Sequence, residues 1–218
     1  IKLYFLEINL DLDLKFWGAG TARTLRPIWM AEELEITYNL FPIGPRTGET
    51  QTEEFKKLNP KQKIPLLQHD DFLLSESIAI CRYLRNISNS KKIFIPEDTR
   101  TSALEDEWCS FIYGELDETS LYVMRRHYDL KDIYGGAPKV VESCRNYFKK
   151  NLKVVEEALI KQGSLFGKDF GLADILLVTC LDWALAYEFQ LPNDISEYHN
   201  RIKSRKAYKK AFEINYKR

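Results

Sequence analysis

Two threonines spaced by three, Thr21 and Thr24, follow a Gly18-Ala19-Gly20 loop and stand ahead of Arg26, Pro27 and an apolar stretch. Hydroxyls in such a place cap the coming helix or its approach, and a hydroxyl can also donate a hydrogen bond to a bound group. A second polar group, Ser75-Glu76-Ser77, opens another apolar stretch. A helix start presents free N–H groups and the positive end of the dipole, which suits a carboxylate, although the same residues also read as a plain N-cap. Other chemistries lack their residues. There is no Ser-His-Asp set, no Gly-rich phosphate loop and no metal cluster; His69, His127 and His199 are scattered. Cys81, Cys109, Cys144 and Cys180 lie far apart in helix-like segments, with no C-x-x-C and no zinc spacing. They read as small core residues in a reducing cytoplasm.

The elements that must position these groups show in the apolar pattern. Residues 64–67 are a short apolar run carrying Pro65, expected as a strand at an edge or turn. His69-Asp70-Asp71 reads as a turn, Phe72-Leu73-Leu74 as the returning strand, and Ile78, Ile80, Cys81 and Leu84 as the apolar residues of the helix that follows. Asn59-Pro60 ends a helix over residues 52–58. Upstream, residues 14–17 are a strand ahead of a helix whose apolar side holds Leu25, Ile28, Trp29 and Ala31. Pro27 belongs in a first turn, which places the cap between Thr24 and Arg26 and Thr21 in the loop before it. Residues 35–42 are expected as a second strand and residues 43–51 as a Gly/Pro/Thr loop. Residues 1–13 are an N-terminal extension, read as an edge strand, a disordered arm or an upstream start.

Residues 87–98 lose periodicity and form a linker, after which everything reads as helix. The expected domains are therefore 14–88 and 99–218. Residues 175–189 are apolar nearly all round and predict a helix buried on every side. Gly171-Leu172-Ala173-Asp174 opens it, with Asp174 placed to reach back to a free N–H. Residues 201–218, rich in Lys and Arg with Tyr208, Ala211 and Phe212 at helical spacing, read as a solvated helix face.

The chain has 218 residues, with Lys+Arg and Asp+Glu both 32 and a net charge of zero. That balance gives no electrostatic reason for a nucleic-acid or anionic-membrane partner. No apolar run is long enough to span a membrane, and no signal-peptide pattern appears.

Residues 63–84 carry a family resemblance: K-I-P, a hairpin, then S-E-S-x-A-I-x-x-Y-L. This resembles the glutathione-binding half of a cytosolic glutathione S-transferase, bacterial-type, Ser/Cys-like rather than Tyr-type. The resemblance covers residues 14 to about 84 with specific motifs and the rest by pattern. It implies an α/β fold plus all-α: an N-terminal thioredoxin-like domain followed by a C-terminal helical bundle domain. It implies a cis Ile64–Pro65 bond, with the Ile64 backbone pairing with the cysteinyl part of glutathione. Glu76-Ser77 would hold the γ-glutamyl end, and Lys63 stands where the family often places a basic residue. Arg46 or Gln51 would approach the glycine carboxylate. Thr21, Thr24 and Arg26 match the T-x-x-T-x-R spacing at which thioredoxin-like proteins place C-x-x-C-x-R, and the first position holds the family's catalytic group. Thr21 is thus the expected catalytic residue and Thr24 its rival. Tyrosine classes place the phenol at the end of the first strand, where this chain has Trp17, which cannot serve.

The implied function is a cytoplasmic glutathione transferase, a homodimer in detoxification. It uses glutathione as co-substrate and no metal, and stabilises the thiolate for attack on a hydrophobic electrophile, with Trp108 or Tyr113 lining that pocket. Isomerisation, ether cleavage and dehalogenation are alternatives within the family, as is a non-catalytic member that binds ligands.

Overall fold

The computed structural model describes residues 13–163, 165–166 and 169–217. The expected extension lies outside the described residues except for Asp13, which is exposed and irregular.

Strand β1 (Leu14–Trp17) buries Leu14 and Phe16 and half-exposes Lys15 and Trp17, the period-two pattern of a strand in a layered sheet. Helix α1 (Ala22–Leu34) crosses over to β2 (Asn39–Phe41), which pairs parallel with β1. The second strand is shorter than the sequence suggests. Glu35 takes a left-handed C-cap conformation (φ 57°) that ends α1, and the chain straightens only after it.

A 3-10 turn (Glu49–Gln51) leads to α2 (Glu53–Leu58), capped by the Thr52 hydroxyl and ended at Asn59. Then β3 (Leu66–His69) pairs antiparallel with β1, and β4 (Phe72–Ser75) pairs antiparallel with β3. The strand thus begins after Pro65 rather than at Ile64, because the ring cannot donate to the ladder. The sheet order is β2-β1-β3-β4, and α3 (Ser77–Ile87) follows. This is the thioredoxin-like arrangement.

Residues 88–98 connect to the helices. Asp98 caps α4 (Thr99–Phe111) through Arg100 and Thr101 N–H groups. At Ile112 the α-helix gives way to a π-helical segment, Ile112–Tyr122, which passes into α5 (Val123–His127). Next come α6 (Lys131–Tyr134), α7 (Pro138–Gln162), α8 (Leu172–Ala186), α9 (Asn193–Lys203) and α10 (Lys206–Tyr216).

Helix α8 is the centre of the helical half, and all but Asp182 and Trp183 among its residues 172–184 are buried. Its start is held as expected: the Gly171 N–H donates to Asp174 Oδ2 at 2.8 Å, and the Tyr198 hydroxyl donates to the other oxygen at 2.5 Å. Gly171 packs against Phe94, where a Cβ would come within 3.4 Å of the Phe94 side chain. The 201–218 region is two helices, not one, broken at Ser204-Arg205. Their inner faces bury Tyr208 and Ala211 and leave the lysines outside.

Helix α1 joins the two halves, packing on α3, α8 and α10. Trp29 lies edge-on to Tyr208 at 4.9 Å and close to Phe170, and its indole N–H donates to Glu33. Arg205 grips Glu33 with two hydrogen bonds, of 2.6 and 2.7 Å. Arg26, fully buried, pairs with the fully buried Asp117 of the π segment at 2.5 Å. It also reaches Thr179 at 2.9 Å and Ser77 at 3.3 Å. Burial alone would raise the Asp117 carboxyl, but the guanidinium groups of Arg26 and Arg23 outweigh it and hold the group below the usual carboxylate range.

Removing one member of a buried pair strands the other charge, at a cost of about 3–5 kcal/mol. Asp117→Ala is expected to lose that much unfolding free energy in urea. A loss under about 1 kcal/mol would mean that Arg26 finds another partner.

Candidate functional site

A cleft of about 750 Å³ runs along the N-terminal end of α1. One wall holds Gly20, Thr21, Ala22 and Arg23, with Arg46, Gln51, Lys63 and Ile64 beside them. The other comes from the helical half: Tyr122, Arg125, Tyr128, Asp129, Trp183, Tyr187 and Tyr216.

The structure places Thr21 as the N-cap of α1, so the helix begins a turn earlier than Pro27 suggested. Pro27 lies in the second turn, inside the helix. A capping box overrides the proline: the Thr24 N–H donates to Thr21 Oγ1, and the Thr21 N–H donates to Thr24 Oγ1, both at 3.0 Å. Thr21 is half-buried and faces the cleft, whereas Thr24 is fully buried beneath it. Burial removes Thr24 as a group that touches a ligand.

Under the pair sits Asn215 of α10, buried and not anticipated from the sequence. Its Oδ1 accepts the Thr24 hydroxyl at 2.8 Å and the Gly20 N–H at 3.1 Å, and its Nδ2 donates to the Thr21 carbonyl at 3.0 Å. These partners fix the amide orientation. Thr24 thus has acceptors for its own proton, and the Thr21 hydroxyl proton is left to turn to Thr24 or outward into the cleft.

The glycine loop has a packing role. Gly18 has φ 116°, and a Cβ on it would lie 2.6 Å from the Ile64 Cβ. Its lack of a side chain lets Ile64 cross beside the α1 approach. The Ile64–Pro65 peptide is cis. Asn59, read from sequence as a helix breaker, also donates to the Lys63 carbonyl at 2.7 Å and accepts the Lys61 N–H. It thereby sets the turn that delivers Lys63 and Ile64 to the cleft.

Pro65 is buried behind Ile64. Glu76 and Ser77 stand at the start of α3, and neither is part of the cleft lining. Glu76 has φ 75°, and its carboxylate pairs with Lys61 at 2.8 Å. Among the described residues no side chain caps α3. Ser77 is buried, its hydroxyl taking the Arg26 N–H. Arg23 links this region to the cleft: it pairs with Asp117 and Glu118 and covers the Tyr113 and Tyr122 rings at 5.5 and 4.6 Å.

Trp108 and Tyr113 do not line the cleft. Trp108 packs edge-on against Phe111, and Tyr113 lies under Arg23. The aromatic wall comes instead from Tyr122, Trp183, Tyr187, Phe212 and Tyr216. The apolar stripes of residues 175–189 and 201–218 carried that signal, but periodicity does not say which residue at an element's end faces a cleft. Trp17 stacks on Phe41 at 4.1 Å and serves packing. Burial pushes the Cys109 and Cys180 thiols up to about 12, so neither competes as a nucleophile. Among the described residues no three His, Cys, Asp or Glu side chains gather as a metal site, and no helix is long and apolar enough to cross a membrane.

Asn215→Ala removes the Oδ1 that accepts two hydrogen bonds and the Nδ2 that donates one beneath Thr21. An unfolding loss of about 1–3 kcal/mol is expected, measured by denaturant titration. Full recovery of stability with alanine would show that water replaces the amide without cost.

Comparison with known proteins agrees with this fold. The family models for the glutathione S-transferase N-terminal and C-terminal domains match residues 12–86 and 115–206. Bovine glutathione S-transferase theta-1 is 26% identical over 178 residues, 80% of this chain and 71% of that protein. The Escherichia coli O157:H7 glutathione S-transferase GstA is 31% identical over 140 residues, 64% of this chain and 66% of that protein. Among solved structures, the glutathione transferase URE2P6 from Phanerochaete chrysosporium, in complex with oxidized glutathione, aligns with a TM-score of 0.82 at 23% identity, covering 94% of this chain and 97% of that one. With two family models spanning the sheet half and most of the helical half, and the fold matching over nearly its whole length, this chain belongs to the glutathione S-transferase superfamily.

Proposed function

We propose that the cleft binds glutathione with its sulfur at Thr21 and presents the thiolate to an electrophile held against the aromatic wall. The observation that carries this is the Thr21 hydroxyl: it caps a helix, faces the cleft, and has its acceptor side filled by the Thr24 N–H. A thiolate at that point receives the hydroxyl proton and the positive end of α1 together. This is the Ser/Cys-like placement with threonine in the catalytic position.

A free thiol of pKa about 8.5 is about 3% ionised at pH 7. Lowering it by about two units makes it mostly thiolate and corresponds to about 2.7 kcal/mol. One charge-assisted hydrogen bond plus a helix N-terminus supplies much of that. The thiol proton leaves to solvent, sulfur forms its bond to the electrophilic carbon, and the leaving group departs with its electron pair.

The rest of glutathione is read from its charges. The Ile64 backbone at the cis bond pairs with the cysteinyl unit. The uncapped start of α3, with the Ser77 N–H and hydroxyl, receives the γ-glutamyl carboxylate, and Glu76 its ammonium. Lys63, Arg46 and Gln51 stand together on the cleft wall for the glycyl carboxylate. Arg46 already donates to the Tyr134 hydroxyl at 3.3 Å, and that hydrogen bond, with the Arg46 charge, lowers the phenol below its ordinary pKa.

The four free, buried cysteines support a reducing, cytoplasmic setting for detoxification chemistry. Exposed Phe72 and Leu73 on the edge strand β4, with Leu104 on α4, support a homodimer. Sedimentation as a monomer at micromolar concentration would remove that reading.

Thr21→Val keeps the shape and deletes the hydroxyl. The pKa of bound glutathione, followed by thiolate absorbance, is expected to rise by about one to two units while glutathione still binds. Thr24→Val should shift it less, since Thr24 acts through Thr21. Ser77→Ala should instead weaken glutathione binding at least tenfold by calorimetry. An unshifted titration in Thr21→Val would assign the stabilisation to backbone N–H groups.

A further inference from the structure

The charges of the cleft do not all find partners. Arg23 is held by Asp117 and Glu118. The Asp129 carboxylate takes the Tyr187 hydroxyl. Asp182 is held by His199 at 2.9 Å, Lys203 at 3.0 Å and Tyr208 at 2.7 Å. Arg125, on α5, half-buried in the cleft wall, makes no ion pair and no side-chain hydrogen bond among the described residues. Both carboxylates of the cleft lining, Asp129 and Asp182, thus have other partners.

Its surroundings are aromatic. Arg125 lines the same cleft as Trp183, Tyr187 and Tyr216. Trp183 lies 6.3 Å from Tyr187, ring to ring, and Phe212 lies 4.7 Å from Tyr216. The neighbouring Arg126 points elsewhere, its guanidinium 4.5 Å from the Tyr134 ring that Arg46 also approaches. Arg46 and Arg126 thus share the Tyr134 ring.

On the glutathione reading above, each of the two carboxylates of the tripeptide already has a receiver: the start of α3, and Lys63 with Arg46. Arg125 is a third cation without an anion. A half-buried guanidinium in a cleft that also carries Trp183, Tyr187 and Tyr216 suits a planar molecule with a carboxylate or sulfonate at its edge.

We propose that the second substrate of this cleft is an aromatic acid, its ring lying among Trp183, Tyr187 and Tyr216 and its anionic group on Arg125. This rests on the glutathione reading. In the reaction, the glutathione sulfur bonds to an activated ring or benzylic carbon, and a halide or similar group leaves with its bonding pair. The acid group takes no part in the chemistry and sets orientation.

The test pairs 4-chloro-3-nitrobenzoate with its methyl ester, which share the ring, the nitro group and the chloride. The ratio of kcat/KM for the acid to that for the ester is measured in the wild type, Arg125→Gln and Arg125→Lys. Dividing variant by wild-type ratios cancels the intrinsic reactivity difference between the two. Arg125→Gln is expected to lower the ratio at least tenfold, the loss of one hydrogen-bonded charge pair. Arg125→Lys should retain part of it, and glutathione affinity by calorimetry should stay within twofold in both. An unchanged ratio in Arg125→Gln, or wild-type enzyme that conjugates the ester but not the acid, overturns the proposal and leaves the glutathione reading standing. A fall in glutathione affinity with no change of ratio reassigns Arg125 to the tripeptide and overturns it too. Absence of glutathione binding in the wild type overturns the underlying reading, and this proposal with it.

Discussion

The guanidinium of Arg26 is wholly out of water, and four elements converge on it. It comes from α1, takes Asp117 from the π-helical segment and Thr179 from α8, and reaches Ser77 at the start of α3. A buried ion pair is weak evidence for stability, because desolvating two charges offsets most of their attraction. What it supplies is geometry, since an alternative packing would leave a charge unpaired in the interior. The position of α1 relative to both the sheet and the helical half is set by that requirement. Because Thr21 caps the same helix, the reach of its hydroxyl into the cleft depends on it as well.

The π-helical stretch is part of the same constraint. Residues 112–122 carry an extra residue in each turn, which alters the facing that an α-helical spacing would give. Asp117 comes to lie inward, where Arg23 and Arg26 share it. Arg23 is then drawn flat over Tyr113 and Tyr122 rather than left loose in the cleft. Positive charge near the helix start is thereby paired, and the cleft lining also carries Arg46, Lys63 and Arg125.

Much of the frame was legible in the sequence. The first strand, the hairpin turning at Asp70-Asp71, the break at Asn59-Pro60, the linker and the buried α8 all follow from local pattern, because each depends on neighbours a few residues away. The K-I-P step and the Ser-Glu-Ser start were recognisable for the same reason. Local reasoning failed where two local rules competed. Pro27 favours a later helix start, but the reciprocal Thr21–Thr24 cap satisfies two N–H groups at once and wins. The resemblance implied Trp108 or Tyr113 on the pocket wall, and neither is in the cleft lining: Trp108 packs on Phe111 and Tyr113 lies under Arg23.

The sequence by itself determined the order of the elements, the polar groups at the starts of α1 and α3, and the family. Tertiary structure alone decided which polar groups meet. Asn215 stands 194 residues from Thr21 and still fixes its turn, Asp117 binds an arginine 91 residues away, and Ile64 occupies the space that Gly18 leaves open. The physical reason is the range of the forces involved. Helix, turn and cap preferences act within a few residues, whereas burial charges a free-energy cost to every unpaired polar group wherever its partner lies in the chain.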